Sequence, residues 1–581
     1  MAVQNAPPGF EWHGRMSNAL GEAGFAYISE LTQLGLPVFK NGRWARSVWL
    51  GYAINTEYYA PGEHGNAKDT IDFPVEGSPF LLGFAGETNI LTIGSAGSGK
   101  NACAIMPTLM LNEESVFVND IKGENWWVTH AYRKFKLGQR VIRINPFNLF
   151  GEELGFSQPM TNYYNPLAAL SDGNHPKFGQ RISGLANALI VAEGNDPHWS
   201  SRARDMVSCL MAIVATSPDE HRAGTNHLPR VMDLLSLPHA SRYQMAGDKP
   251  ALDANGLPIV LQQGLADYVA AALKWCKLPV VINNAHFIID GGKEFSGVIS
   301  TAKGQLSFLN DPALRAFLSK SDFDFADLRK ERMTIYCMIP PAEMQTYFRF
   351  VRVLVQACLD TLAASPMDER DSVLVILDEQ AKLRGMEVIE TSAATLRGYN
   401  VRIWSAYQDL NQIKRDYEKS WETFIANAGI VQILGVNDDT TAEYFSRKAG
   451  EYGVPMESTN TGYSSGGSSG SRSSTNYSNS GGRTFSYQRV RFLPPQWFYG
   501  MDDLACLSFV QGLPYPALSE RRGYHQTDQF EDRSVPPADK PRPGMTTAGI
   551  WDWMKRITQD DREAQLSRQD AMRAEFYRGR Q

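Results

Sequence analysis

Seven residues constrain this chain more than any others: Gly94-Ser95-Ala96-Gly97-Ser98-Gly99-Lys100, which fit the frame GxxxxGK. Glycines at this spacing let backbone N–H groups turn inward around phosphate oxygens, and the closing lysine reaches the outer phosphates. The frame works between a strand and a helix whose positive end faces the anion. Both flanks are present: 88–93 is a short apolar run, and 101–111 is patterned as a helix. A bare glycine turn between strand and helix is the alternative, and this context disfavours it.

A phosphate loop needs an acidic partner. The apolar run Val373-Leu374-Val375-Ile376-Leu377 ends in Asp378-Glu379. Asp378 is expected to hold Mg²⁺ through water, and Glu379 to polarise the attacking water. A strand ending in surface acids is common by itself; its pairing with 94–100 gives it meaning. The next strand, 401–407, ends in Gln408. That amide either touches the γ-phosphate or its water, as a glutamine does in small GTPases, or faces a loop. Asn101 departs from the motif, because Ser or Thr usually gives Mg²⁺ a hydroxyl at that position. Either its amide oxygen serves or water takes the place. ATP and Mg²⁺ are the expected cofactors.

The 581 residues exceed one ordinary core, so two or three domains are expected. Short β-branched runs at 115–119, 141–144, 334–338, 373–377, 401–406 and 429–436 alternate with helical stretches such as 347–362. The predicted fold class is therefore α/β with a mainly parallel, doubly buried sheet. Between about 175 and 292 the rhythm changes. Residues 202–216 and 261–277 are apolar at helical spacing, and Pro229 opens a helix with Val231, Leu234 and Leu235 on one face. This predicts an all-helical insertion at 175–292 that splits the nucleotide-binding domain into 86–174 and 293–524. Residues 1–85 read as a separate N-terminal region with a helix over 16–34 and short strands. Segment 458–482, almost pure Ser, Gly, Asn, Thr and Tyr, reads as a flexible loop. Residues 525–548 read as a polar, Pro-rich linker. In the tail, 525–581, the spacing of Ile550, Trp553, Met554 and Ile557 predicts an amphipathic helix.

Composition excludes some classes. A net charge of −6 lacks the basic balance of a general nucleic-acid binder, although local positive loops can still grip a strand. The six cysteines, at 103, 209, 276, 337, 358 and 506, have neither CxxC nor metal-ligand spacing. They read as small buried hydrophobes in a reducing compartment. Residues 1–12 show no leader pattern, and no apolar run approaches the roughly 18 residues of a membrane span, so a cytoplasmic protein is expected.

Taken together, the phosphate loop, Asp120-Ile121-Lys122-Gly123-Glu124, Asn145-Pro146, Tyr164-Asn165-Pro166-Leu167, Leu377-Asp378-Glu379 and Tyr407-Gln408-Asp409-Leu410 resemble the type IV coupling proteins. These are the TraG-like conjugative DNA-transfer ATPases of bacterial secretion systems, and the resemblance runs over about 80–525. It implies a RecA-like P-loop NTPase, a homo-hexameric ring, and an all-α domain at the ring mouth that recognises cargo. By position, Lys100, Asp378 and Glu379 match the two nucleotide motifs, and Gln408 matches the strand-end glutamine. Arg397 falls where the family places an arginine that reaches the neighbouring subunit's ATP. A guanidinium supplied in trans suits that role, whereas the sequence alone reads Arg397 as a solvated helix-end residue. Asp120, Lys122 and Glu124 match a family segment that lies either at the site's rim or in an internal salt-bridge network. Members commonly begin with transmembrane helices. This chain shows none, so the expectation is a soluble branch recruited to the cytoplasmic face of the inner membrane through a partner.

The implied function is an ATP-hydrolysing coupling protein that recruits DNA, a relaxase or effector protein, or both, and drives the cargo into a type IV secretion channel. Two alternatives stand beside it. One is a cytoplasmic DNA translocase of the FtsK or HerA type, unconnected to secretion. The other is an ATP-binding cargo receptor with little motor activity, which Asn101 favours and Glu379 and Gln408 oppose. The 458–482 segment, with Tyr463, Arg472 and Tyr477, either contacts a strand by stacking and charge or is passive surface. The C-terminal helix, with Trp551, Trp553 and Met554, either docks a partner or adaptor or packs on its own domain. Its balanced charges argue against a polybasic membrane anchor.

Overall fold

The computed structural model describes residues 16–18, 21–23, 38–39, 47–53, 81–192, 197–246, 248–253, 256–364, 372–467, 475–501, 503–536, 546 and 548–557. A twelve-stranded sheet runs through it. In chain order its strands are β1 (Val38–Phe39), β2 (Val48–Ala53), β3 (Leu81–Phe84), β4 (Asn89–Ile93), β5 (Ser115–Asp120) and β6 (Arg140–Ile144). They continue as β7 (Met333–Met338), β8 (Val373–Leu377), β9 (Val401–Tyr407), β10 (Ala428–Ile433), β11 (Ala505–Val510) and β12 (Ala517–Glu520). The order across the sheet is β1-β3-β2-β12-β11-β10-β4-β9-β8-β5-β7-β6. The strands from β10 to β6 are all parallel. The remaining strands, at the other end, join antiparallel.

The parallel block is buried on both faces. Every residue of β5, β7, β8 and β9 is buried, as their unbroken apolar sequences require. Alternate side chains serve opposite cores. Val373, Val375 and Leu377 of β8 point into one, and Leu374 and Ile376 into the other. The second core is closed by α1 (Met106–Leu111) and α2 (Glu124–Phe135). The first is closed by α3 (Phe178–Leu189), α4 (Pro197–Thr216) and a long helix, Met344–Ala364. Residues 206–215 of α4 are buried all round, which makes it the axle of the helical region. Around it lie α5 (Leu228–Leu235), α6 (Leu265–Trp275), α7 (Pro279–Asp290), α8 (Phe295–Leu306) and α9 (Pro312–Leu318) before the chain re-enters the sheet at β7; α10 is Met344–Ala364. This region is not purely helical, since Arg242–Tyr243 pairs with Val260–Gln262, and Met245–Ala246 with Lys249–Pro250.

Several expectations are corrected. Met16–Asn18 and Gly21–Ala23 form an antiparallel pair where a helix over 16–34 was expected, and 24–34 lie outside the described residues. Strands β1 to β3 extend the central sheet, so 1–85 does not stand apart as its own unit. The Ser/Gly-rich segment is a long antiparallel hairpin, Glu451–Gly467 with Thr475–Arg491, in place of a loop. Composition misled here because a ladder satisfies its backbone groups without burying a core. The side chains of Tyr463, Arg472 and Tyr477 lie outside what is described.

Over its described part, 525–536, the presumed linker is a packed strap. Two tight turns, Tyr524–Gln526 and Asp528–Arg533, carry Phe530 edge-on to Trp49 at 5.7 Å, with Phe530 fully buried. Val535 then bonds through its N–H to Val128 O at 3.0 Å. Helix 548–557 buries Ile550, Met554 and Ile557 in the second core, and Trp551 meets Trp127 at 4.8 Å. Ile550, Met554 and Ile557 are thus used within the chain, while Trp553 of the same stripe stays 39% exposed; the tail beyond 557 lies outside the described residues. All six cysteines are free, and five are buried. Among the described residues no helix is long and apolar enough to cross a membrane.

Candidate nucleotide site

Parallel strands end on one rim, and the predicted residues converge there. β4 runs into Gly94, β9 into Gln408, β8 into Asp378, and β5 ends at Asp120. Since β9 lies between β4 and β8, Gln408 falls between the phosphate loop and the acidic pair. The ends are level: Ile93 pairs with Tyr407, and Leu377 with both Ser405 and Asn119.

The loop is held open by backbone bonds. Gly94 N–H donates to Tyr407 O at 3.0 Å and Ser95 N–H to Gly435 O at 3.1 Å. Gly97 and Gly99 both have φ of +78°, a conformation that side-chain-bearing residues rarely adopt. The chain then enters the widened helical turn Asn101–Ile105, which continues into α1. Lys100 Nζ donates to Gly94 O at 2.7 Å and Ser95 O at 3.2 Å, so the ammonium sits at the loop's centre. Burial pushes its pKa down, Asp378 and Glu379 pull it back up, and Arg521 and Lys122 oppose them.

Asp378 is 5% exposed. Burial is the main cause that pushes its carboxyl up to about 6. The hydrogen bond from Asn101 and the Lys100 charge oppose the shift, and neighbouring Glu379 adds to it. Asn101 is therefore tied to Asp378 by its amide, while its carbonyl oxygen is buried with no hydrogen-bond partner. A carboxylate that is costly to ionise beside an unsatisfied oxygen is a donor set that a hard dication relieves, so these residues fit Mg²⁺. Asn119, at the end of β5, steadies the segment by donating from Nδ2 to Asp378 O at 3.0 Å.

Glu379 follows with φ of +49°, left-handed for a residue that carries a Cβ, which is strain of the kind held at functional sites. The turn Gln380–Leu383 that it opens is pinned from two sides. Gln380 Nε2 donates to Tyr417 Oη at 2.9 Å. Arg352 of α10 donates to Leu383 O at 2.7 Å and Gly385 O at 3.0 Å, and to Ala188 O at 2.9 Å and Asn187 O at 3.3 Å. One buried guanidinium thus staples the segment after Glu379 to the end of α3. Gln408 is half-buried and held between β9 and α12 (Leu410–Tyr417), which Asp409 caps through Gln412 N–H at 2.9 Å; α11 is Glu387–Thr395.

Asp120 is a helix anchor. Its carboxylate accepts from Asn125 N–H, Asn125 Nδ2 and Trp126 N–H, at 3.3, 3.2 and 2.8 Å, and so caps α2; burial pushes it up to about 7. Lys122 and Glu124 are exposed, with Lys122 near enough to depress Lys100.

Arg397 stands apart. It lies on the turn Leu396–Tyr399 that precedes β9, at the opposite end of the strand from Gln408. Seven extended residues separate the ends by roughly 20 Å. Its side chain is 62% exposed, with Nε 3.9 Å from Glu87 Oε2 ahead of β4. It cannot reach the phosphate loop of its own chain.

Sequence reasoning missed Arg521, which follows β12. Its guanidinium donates to Ser98 O within the loop, and to Leu434 O at 2.8 Å. It also missed Arg352, although an arginine on the apolar stripe of α10 is a readable anomaly.

Known proteins resemble this chain in sequence and fold. A profile described as type IV secretory system conjugative DNA transfer matches residues 64–543. The chain belongs to the type IV secretory system conjugative DNA transfer family. VirD4 of Rhizobium rhizogenes is 26% identical over 373 residues, 64% of this chain and 50% of that protein. The conjugal transfer protein TraG of Escherichia coli is 26% identical over 404 residues, 66% of this chain and 58% of that one. The chain thus spans about half the length of the curated relatives it matches. Among solved structures, the bacterial conjugative coupling protein TrwB superposes with a TM-score of 0.52 at 15% identity, covering 76% of this chain and 87% of that one. That likeness shows the α/β coupling-protein fold. TrwB has also been solved with a non-hydrolysable ATP analogue, at a TM-score of 0.51, and with ADP and Mg²⁺, at 0.50.

Proposed function

We propose that this family member is an ATP-hydrolysing coupling protein that recruits DNA, protein or both and drives the cargo toward a type IV secretion channel. The observation that carries the reading is the convergence of Lys100, Asp378, Glu379 and Gln408 on one rim of a sheet whose sequence matches the conjugative DNA transfer family. The names of its relatives support it: one is a type IV secretion system-coupling protein, VirD4, and another a conjugal transfer protein, TraG.

The residues divide the work as follows. Loop N–H groups of 94–99 and the Lys100 ammonium bind the phosphates. Asp378 and the Asn101 carbonyl oxygen would hold Mg²⁺, which would supply charge neutralisation at the outer phosphates. Glu379 takes a proton from the attacking water, and Gln408 orients that water. Arg397 of a neighbouring copy completes the site in a ring, since its own copy cannot supply it. The helices α3 to α9 form the cargo-recognition region, and contact with the inner membrane runs through a partner. The buried Asn101 oxygen without a hydrogen-bond partner supports its reading as a ligand and so weighs against the cargo-receptor alternative.

The test compares Glu379→Gln with the wild-type chain, with and without single-stranded DNA. Wild type should hydrolyse ATP, and DNA should stimulate it. Glu379→Gln should retain nucleotide binding and lose turnover by at least about 10²-fold. Unchanged turnover in the variant removes Glu379 as the base. ATPase activity indifferent to DNA and raised by a cargo protein moves the cargo to protein.

A further inference from the structure

Arg521, directly after β12, is only 3% exposed, and its backbone N–H is fixed to Leu504 O at 2.7 Å. An arginine this deeply buried is ordinarily matched by a carboxylate. Here the guanidinium meets two carbonyl groups instead, Ser98 O through Nη1 and Leu434 O through Nη2, the latter at 2.8 Å. Its Nε is buried with no hydrogen-bond partner. The adjacent acid, Glu520, pairs with Arg522 at 2.9 Å, and among the described residues no carboxylate forms an ion pair with Arg521.

Both carbonyl groups belong to the frame of the phosphate loop. Ser98 lies within it. Leu434 N–H donates to Ile93 O at 2.9 Å, just ahead of the loop, and Gly435 O accepts from Ser95 N–H at 3.1 Å. The Ser98–Gly99 peptide is trans, so its C=O and N–H point opposite ways. With the C=O turned to Arg521, the Gly99 N–H faces the other side, and among the described residues no backbone carbonyl takes it. The GxxxxGK frame uses such N–H groups to grip phosphate oxygens. A cation on the C=O also polarises the peptide and strengthens its N–H as a donor. Burial is the first cause that lowers the Lys100 pKa, and the Arg521 charge adds to it, so two cations act on one loop. Like charges confined together repel until an anion joins them.

We infer that Arg521 is a positioning residue of the nucleotide site: a buried cation whose counter-charge is the bound polyphosphate, and which turns the Gly99 N–H toward it through the Ser98–Gly99 peptide. The inference rests on the nucleotide-binding reading of the loop. It goes beyond a brace, because a brace needs only a donor, whereas this role needs a charge. Its effect therefore grows with the charge on the ligand, from diphosphate to triphosphate.

The experiment uses the full chain, titrated calorimetrically in Mg²⁺ with a non-hydrolysable ATP analogue and, in a second arm, with ADP. Arg521→Lys keeps the charge and loses the two-donor fork. Arg521→Gln keeps a donor and loses the charge. Arg521→Gln should bind the ATP analogue roughly tenfold more weakly, as loss of a charge-assisted contact predicts, with a smaller loss for ADP. Arg521→Lys should stay within about threefold of wild type, since the charge survives. The inference is overturned if Arg521→Gln binds the analogue as wild type does, if it binds no worse than Arg521→Lys, or if ATP analogue and ADP lose affinity alike; the last two mark a structural brace. Circular dichroism checks each fold, and Arg521→Met, neutral with a similar stem, replaces Arg521→Gln if the amide unfolds the chain. ATP turnover by the wild-type chain is measured in parallel. Binding without turnover overturns the ATPase reading and leaves this comparison intact, whereas no nucleotide binding by wild type overturns both.

Discussion

The two ends of the parallel strands differ more than any other pair of regions in this molecule. At the C-terminal rim, Lys100, Asn101, Asp378 and Glu379 crowd together, bonded to one another or to the backbone, and burial displaces the Lys100 and Asp378 pKa values. At the N-terminal rim, Arg397 and Glu87 face solvent in a loose pair at 3.9 Å. One rim is a completed cradle, and the other offers a cation with nothing of its own to act upon. The contrast sharpens the proposal: one copy brings the phosphate loop and the acidic pair together, and Arg397, exposed at the far rim, can serve such a site only from another copy.

The comparison can be broken at either end. The largest effect is expected from Lys100→Ala, which should abolish saturable ATP binding by calorimetry; retained binding would mean the rim is not the nucleotide site. Next, Arg397→Ala should leave nucleotide affinity intact but lower turnover by about 10³-fold, the scale of an arginine supplied in trans. Mixed with Lys100→Ala protein, it should regain part of its activity at hybrid interfaces. Equal loss without rescue in demonstrably mixed assemblies places the arginine outside catalysis.

A third prediction concerns pH. The Asp378 carboxyl titrates near 6 in the folded chain and near 3.9 when unfolded. A raised carboxyl penalises the folded state once it ionises, so the penalty grows as pH rises through that window and is complete above about 6. In metal-free urea unfolding, Asp378→Asn should be the more stable form at pH 8, by about 3 kcal/mol at most, and the gap should close toward pH 4. A gap that is flat with pH would show that Asp378 carries no burial penalty. The smallest effect is expected from Glu87→Ala. It should move stability by no more than about 0.5 kcal/mol, because its pair is exposed. A larger change would mean that the N-terminal rim is more tightly built than its geometry shows.

The nucleotide rim was readable because its chemistry is written in short spacings. A glycine frame, an Asp-Glu at a strand end and a glutamine at the next strand end carry their neighbours with them. Among the helices around α4, α4 itself, α5 and α6 were readable from periodicity, while α3, α7, α8 and α9 were not. The antiparallel end of the sheet was not. β2 and β12 are short and come from opposite ends of the chain, and they pair only through Ala53 with Ser519 and Tyr52 with Glu520. No local pattern announces such a partnership. Arg521 suffered the same way, because Ser519-Glu520-Arg521-Arg522 looks like a solvated charge run until the sheet carries it to the phosphate loop. The strap that carries Phe530 was misjudged because polar, Pro-rich neighbours hid a single buried anchor, whereas the helix that carries Met554 was legible from its spacing.

The Arg521 brace ties the loop to the timetable of synthesis. Its guanidinium meets Ser98 O across 423 residues of chain. A ribosome that has finished the phosphate-loop sequence must add more than 400 further residues before that contact can form. A nascent or prematurely ended chain therefore carries the letters of the loop without its support. Synthesis of Arg521, rather than appearance of the motif, is the event after which the brace can form.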